Sequence, residues 1–511
     1  MPESPPRRLP AVSPTQDDSL LAALRRGIGG PVGAHTVPGR SAARFFTPFR
    51  VLILLTTLAA VVAVLQKSFC RINGWGQPDV YFAGCYSDWT ALYAGRGLAE
   101  NALAPFADGS TFEYPVLAAL VASMTAMIAQ TLPSFGASAS LIYFDVNFLF
   151  VFALWVVTVI VTARSAGRRY WDAAMVAVAP GIILAGSINW DMWAVALMML
   201  GMWLFGGGKP GWAGVMLGLG AAMKVFPMLL LGALLILAVR SLRFAPLAWT
   251  VLGAVVAWLV VNLPLMIANP EAWSLFYTFS SERPPGWSSI WQIYNEVLPD
   301  GSALAVTGAS LGTLSVVSFV LCCGGIFLLG VLAPHRPRFA QLALLIVAAF
   351  ILCNKVYSPQ FVLWLVPLVA LALPNWRDFL IWQLAEVLHF FAIWAHLSSQ
   401  VSGHENVHQL DSSIYVMAVL AHVAATVYLM VRVVQQILRP EDDPVRRSLP
   451  AQSERPTTVP VGTRKLNATH WDPGDLAAQS IDDPQGGPYD GAADRAPWLI
   501  RSTTADVDTR I

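Results

Sequence analysis

The stretch Leu247-Ala-Trp-Thr-Val-Leu-Gly-Ala-Val-Val-Ala-Trp-Leu-Val-Val-Asn-Leu-Pro-Leu-Met-Ile-Ala268 contains no charged residue. A helix rises about 1.5 Å per residue, so a run of this length spans the roughly 30 Å hydrocarbon core of a bilayer. Similar runs occupy approximately 48–67, 114–131, 140–163, 172–188, 190–206, 211–223, 225–239, 304–332, 339–353, 359–373, 377–397 and 413–434. Hydrophobic residues make up 56% of the 511-residue chain and charged residues 12%, with a mean hydropathy of +0.57. A soluble domain usually carries about 25% charged residues, so the deficit indicates a surface that faces lipid. The chain reads as an all-α polytopic membrane protein. Its net charge of +1 makes no case for nucleic acid or an acidic partner. Nineteen tryptophans suit membrane interfaces and sugar stacking.

Thirteen runs would place the two termini on opposite sides, and the basic residues arbitrate. Arg7, Arg8, Arg25, Arg26, Arg40 and Arg44 precede the first run. Arg164/Arg168/Arg169, Lys209, Arg240/Arg243, His335/Arg336/Arg338, Arg377 and Arg432/Arg439 lie between or after later runs. All of them become cytoplasmic if 114–131 dips in or lies along the outer surface instead of crossing. Pro115, Pro133 and Gly136 suit such an irregular element. The expectation is about twelve spans over 47–437 with both termini cytoplasmic. The external segments are then 68–139, 188–190, around Lys224, 269–303, around 354–358, and 398–412.

Residues 1–46 and 438–511 are rich in Pro, Ser, Asp and Arg without periodicity and read as disordered cytoplasmic tails. The first apolar run begins too late and runs too long for a cleavable signal peptide. Asn467-Ala-Thr469 is a glycosylation sequon on the cytoplasmic side and is discounted. No internal repeat of the transporter kind is visible. Cys322, Cys323 and Cys353 sit in apolar runs and read as buried thiols. Cys70 and Cys85 flank a polar external stretch, where either a disulfide or two free thiols fits.

Charged residues near lipid are costly and so need an explanation. Asp88 opens an amphipathic helix expected over 88–101, with Ser87 as its N-cap, and helix capping is its everyday reading. Glu113-Tyr-Pro115 closes the same loop as an interface turn. Asn189-Trp-Asp191 forms a very short loop, with capping of a helix starting at Trp190 as the ordinary role. Lys224 and Lys355 are lone cations on the side that positive charge avoids. Snorkelling accounts for one such lysine; two suggest an anionic ligand such as a lipid phosphate. Arg283, in Glu282-Arg-Pro-Pro-Gly-Trp287, adds a third cation, and Trp287 and Trp291 suit anchoring or sugar stacking. His404-Glu-Asn-Val-His408 matches the His-Glu-x-x-His zinc pattern, yet it sits among Gly403, Gln409 and Asp411 without helical periodicity. It reads as a coincidence of a short pattern. No Walker motif, nucleotide-binding Gly-rich loop or Ser-His-Asp arrangement is present.

Four stretches together resemble a known family. They are Tyr86-Ser-Asp88 through Gly97; Phe112-Glu-Tyr-Pro115; Asn189-Trp-Asp191 followed by Ala-Gly-x-x-x-Gly-Leu-Gly-Ala-Ala-x-Lys224-x-x-Pro227; and Asn354-Lys-x-Tyr-Ser-Pro-Gln360. The chain resembles the actinobacterial polyprenyl-phosphate-mannose-dependent mannosyltransferases of glycosyltransferase family 87, cell-envelope enzymes of GT-C fold, over roughly 48–434. Tyr114-Pro-Val and Asn189-Trp-Asp replace the family's frequent Tyr-Pro-Pro and Gln-x-Asp.

The resemblance implies a plasma-membrane enzyme with an extracytoplasmic site, a polyprenyl-phosphate sugar donor, and a glycolipid or glycan acceptor. No soluble cofactor and no metal are expected. It places Asp88 at the catalytic centre as general base. Lys224, Lys355 and Arg283 would hold the donor phosphate. Asp191, Asn189, Glu113, Tyr357, Gln360 and Trp287 would contact sugar or acceptor. A non-catalytic lipid or glycolipid transporter and an arabinofuranosyltransferase are the alternatives.

Overall fold

In lipid, backbone N–H and C=O groups must find partners inside the protein, so apolar runs become helices. The computed structural model describes residues 12, 18–29, 46–299, 301–402, 410–447, 483–492 and 494, and no strand occurs among them. Six helices are long and apolar enough to cross a membrane: Pro48–Gln66, Ala139–Ser165, Ala245–Ala268, Gly308–Leu332, Trp376–Val401 and Ser412–Leu438. Shorter apolar helices pack among them: Val116–Thr131, Asp191–Gly206, Pro210–Met223, Phe226–Ser241, Phe339–Cys353 and Pro359–Ala372.

The run expected to span at 172–188 is instead broken into Ala174–Ala177 and Pro180–Ala185. Proline has no N–H to continue a helix. The neighbouring Gly181 N–H donates to the Gln383 side chain at 2.7 Å, so a second helix satisfies the freed backbone. The helix expected over 88–101 is shorter, Asp88–Gly95. Cys322 is exposed and Cys323 and Cys353 are half-buried, so these thiols sit at the lipid-facing surface of the bundle and not in its core.

Helix Pro210–Met223 runs from Lys209 to Lys224, Phe226–Ser241 ends beside Arg240, and Phe339–Cys353 runs from Arg338 to Asn354. These helices therefore carry the basic loops to one end of the molecule and the polar motifs to the other. Helix Val116–Thr131 starts just after Glu113, and near its close Gln130 donates to Leu98 O at 3.0 Å.

Both tails depart from expectation. Helix Ser19–Gly29 forms within the first, with Asp18 accepting from the Leu20 and Leu21 N–H groups and from Trp376 N–H at 2.7 Å. In the second, Asp443 is buried against Arg338, and residues 483–492 and 494 fold onto the basic loops. Asp483 accepts from Phe339 N–H, Asp494 accepts from Arg336 N–H, and Tyr489 is buried against Phe205. The basic loops are thus a binding surface for acidic residues of the same chain.

Helix Pro210–Met223 packs closely on Ala245–Ala268 through glycines. A Cβ on Gly214 would stand 2.0 Å from Thr250 O, and one on Gly218 2.2 Å from Ala254 O. Small residues four apart let backbones approach in membranes, where packing drives association. The obstructing atoms are backbone, so they cannot rotate away. Gly218→Val is expected to destabilise by about 3 kcal/mol or more, at the upper end of overpacking costs. Size-exclusion chromatography in mild detergent checks this: loss of the monodisperse peak is expected, and an unchanged profile and melting temperature refutes it.

Candidate active site

A chain segment just past helix Pro48–Gln66 builds the first wall. A disulfide joins Cys70 to Cys85, with Cα atoms 6.1 Å apart. The buried Lys67 ammonium donates to Gly84 O at 3.3 Å and Tyr86 O at 3.5 Å. Ser87 occupies the N-cap position, yet its hydroxyl does not cap; it donates to Ser187 O at 2.8 Å. The Asp88 N–H donates to Ile188 O at 2.7 Å. Asp88 is therefore stitched to the Ser187–Asn189 turn, about a hundred residues away in sequence.

Asn189 orients the carboxylate. Its side-chain oxygen accepts from Trp190 N–H at 2.6 Å, which turns its amide N–H toward Asp88 Oδ2 at 2.6 Å and Tyr114 Oη at 2.8 Å. Tyr114 also donates to Asp88 at 3.4 Å. Burial pushes the Asp88 carboxyl above the ordinary carboxylate range; hydrogen bonds from Tyr86 and Asn189 and the charge of Lys224 oppose this in part. A carboxyl raised in this way is a better proton acceptor than a solvated aspartate.

Asp88 lines a cavity of about 910 Å³ together with Glu113, Asn189, Lys224, Arg283, Trp287, Lys355, Tyr357 and Gln360. Nine of the ten residues expected at the site thus meet there. Asp191 does not line it. It is fully buried behind Lys224, accepting from the Lys224 ammonium at 2.9 Å and from Trp364 Nε1 at 2.7 Å. Nor does it cap its helix, which starts at Asp191 with Trp190 in the capping position. Its reach is spent on holding the lysine, not on a sugar hydroxyl.

The cations divide by partner. Lys224 is neutralised by Asp191 and sits 5.9 Å from the Tyr114 ring centroid. Lys355 donates to the Ser281 carbonyl at 2.9 Å, and Arg283 lies over the Phe279 ring at 5.9 Å. Among the described residues, neither Lys355 nor Arg283 forms a salt bridge, so their charge is available to an anion in the cavity. Burial and the nearby Arg283 charge both lower the Lys355 pKa. Two unneutralised cations side by side favour a ligand of at least one negative charge.

Glu113 is held by Arg96 through two bonds of 2.7 and 2.8 Å. Tyr357 lines the cavity with its ring, but its hydroxyl points below the floor to Glu386 and Thr426. Trp287 is 45% exposed and meets His396 edge-on, open to a sugar face. Sequence reasoning gave no role to Arg96, Tyr114, Trp364 or Trp394. Trp394 packs on Tyr86 at 4.9 Å, beside Asp88. Arg96 stands 17 residues before Glu113 in no recognisable motif, and Trp394 sits inside an apolar helix, where a tryptophan carries no signal. The His404–His408 motif lies outside the described residues.

Residues 112–354 match the model of glycosyltransferase family 87. That span holds Glu113, Asn189, Asp191, Lys224 and Arg283, and is narrower than the 48–434 resemblance; Asp88 and Lys355 fall outside it. No curated protein matches the chain. Solved structures that do include the crystal structure of ArnT from Cupriavidus metallidurans bound to undecaprenyl phosphate. It is 15% identical, covering 76% of this chain and 78% of that one, with a TM-score of 0.37. Another is the archaeal oligosaccharyltransferase AglB from Archaeoglobus fulgidus in complex with an inhibitory peptide and a dolichol-phosphate. It is 13% identical, covering 78% of this chain and 56% of that one, with a TM-score of 0.38. Similarity at that level assigns no residue a role. The family that the polar motifs resemble and the family whose model matches residues 112–354 are the same, and the chain carries six helices long and apolar enough to cross a membrane.

Proposed function

We propose that this protein transfers a sugar, mannose in the first instance, from a polyprenyl-phosphate donor to a glycolipid or glycan acceptor on the extracytoplasmic face. The observation that carries the reading is one cavity in which an oriented carboxylate, Asp88, faces two cations without carboxylate partners, Lys355 and Arg283. Asp88 takes the proton from an acceptor hydroxyl as that oxygen bonds to the anomeric carbon. The bond from that carbon to the phosphate oxygen breaks, and the lipid phosphate leaves with the electron pair. One carboxylate suffices, because phosphate needs no acid to depart, and a single displacement inverts the anomeric centre. The transition state is oxocarbenium-like. Lys355 and Arg283 stabilise the negative charge that builds on the departing phosphate, the term that preorganised charge serves best. Lys224, tied to Asp191, adds a fixed positive potential near Asp88, and Asn189, Glu113, Gln360 and Trp287 contact the sugars.

The purified protein in liposomes, given radiolabelled polyprenyl-phosphate mannose or arabinofuranose in parallel with a membrane glycolipid extract, tests the reading. Label in a glycolipid from the mannose donor is expected. Label from the arabinose donor alone reassigns the sugar; movement of intact donor across the bilayer without transfer supports a transporter and overturns the reading.

Replacing Lys355 or Arg283 with glutamine removes a charged hydrogen bond worth about 1.5–3 kcal/mol, or roughly 10- to 150-fold in affinity. The donor KM is expected to rise by that factor, measured at saturating acceptor. An unchanged KM in both variants places the phosphate elsewhere.

A further inference from the structure

Beneath the cavity floor lies a cluster that the transfer chemistry does not use. Glu386 and His389 stand three residues apart on helix Trp376–Val401, hence on one face, and His422 stands on helix Ser412–Leu438. All three are buried, and one potential ligand atom of each lies within 4.8 Å of the others.

Their hydrogen bonding is unbalanced. Glu386 Oε1 accepts from Trp382 Nε1 at 3.0 Å and from the Tyr357 hydroxyl at 3.3 Å. Its Oε2 stands 3.6 Å from His422 Nδ1. His389 Nε2 pairs with the Ser288 hydroxyl at 2.7 Å, while His389 Nδ1 and both ring nitrogens of His422 have no hydrogen-bond partner. Each buried polar atom left unsatisfied costs about 1–3 kcal/mol. Three of them beside the Glu386 carboxylate describe a set of ligands more than a packed core. Leucine or phenylalanine fills such a space without that cost.

We propose that Glu386, His389 and His422 bind one divalent transition-metal ion of the zinc class. Two imidazoles and a carboxylate are the donor set that a borderline cation prefers over calcium or magnesium. The outer contacts are those of a ligand set: Trp382 and Tyr357 fix the carboxylate, and Ser288 fixes one imidazole. The two rings lie parallel, with centroids 3.8 Å apart, so their in-plane lone pairs run side by side. Uptake requires an imidazole to turn until the lone pairs converge. Tyr357 and Ser288 both touch this cluster and line the cavity. The ion therefore acts as a positioning element: it clamps two helices and steadies the floor of the sugar site.

The test uses the full chain with a histidine-free tag, in nanodiscs, stripped by chelator, incubated with zinc and dialysed. Plasma mass spectrometry is expected to find about one zinc per chain, and zinc is expected to raise the melting temperature, as a ligand selective for the folded state must. His389→Ala and His422→Ala lose the zinc and the shift; the His404→Ala/His408→Ala double variant keeps both. Should the first two variants not fold, the wild type reloaded with cobalt decides. A four-coordinate visible spectrum supports the site and a featureless one overturns it. Zinc absent from the wild type, retained by folded His389→Ala and His422→Ala, or lost on changing His404 and His408, also overturns it.

Discussion

Asp88→Asn is expected to reduce sugar transfer by about 10²- to 10⁴-fold, the range associated with a positioned general base. The substitution is nearly isosteric. Ser87, the Asp88 N–H and the Cys70–Cys85 bridge still fasten the loop, so folding and membrane insertion are expected to persist. Asn189 and Tyr114 continue to face position 88, though the amide presents an N–H where the carboxylate accepted. The loss is expected in kcat with donor KM little changed, because Lys355 and Arg283 stay in place. Initial rates at saturating donor, with protein quantified by immunoblot, check this. A rise in KM with kcat unchanged would recast Asp88 as a binding group.

Asp443→Ala is expected to cost roughly 3–5 kcal/mol of stability, the penalty for stranding one partner of a buried ion pair. Arg338 and Asp443 are both fully buried. Arg338 also donates to Leu371 O at 2.8 Å and Ala372 O at 2.7 Å, and Asp443 accepts from Gln341 and from Val445 N–H. Removing Asp443 leaves a guanidinium enclosed without its counter-charge. The neighbouring Asp442 is exposed, and Asp442→Ala is expected to fall within about 0.5 kcal/mol of wild type. Thermal unfolding followed by light scattering separates the two. Equal melting temperatures would show that the pair is solvated.

The helices were legible because lipid imposes a strong pattern: a charge-free run such as 247–268 has few other uses. The polar residues of the cavity were legible for the same reason, since Asp88, Lys224 and Lys355 stand out against an apolar background. What each charge does was less legible. Lys224 and Asp191 lie on different helices, and only their packing reveals that they neutralise each other, shifting the free positive charge to Lys355 and Arg283. Asp443, Asp483 and Asp494 look like ordinary acids of a polar tail. Their partners are backbone N–H groups and arginines of distant loops, which composition does not register. Glu386 and His389 lie in one apolar run and His422 in another, so only helix packing brings the three together. Pro180, by contrast, stood in plain view within the run read as a span.

The dependence of transfer on pH, measured as kcat/KM for wild type and Asp88→Asn, tests the central claim most directly. A general base works only when ionised, and burial raises the Asp88 pKa. The wild-type rate should therefore fall as pH drops through a value above the ordinary aspartate value of about 3.9. Asp88→Asn should run near background with that acidic limb absent. A variant as fast as wild type, or one that keeps the same acidic limb, would contradict the assignment of Asp88 as the base.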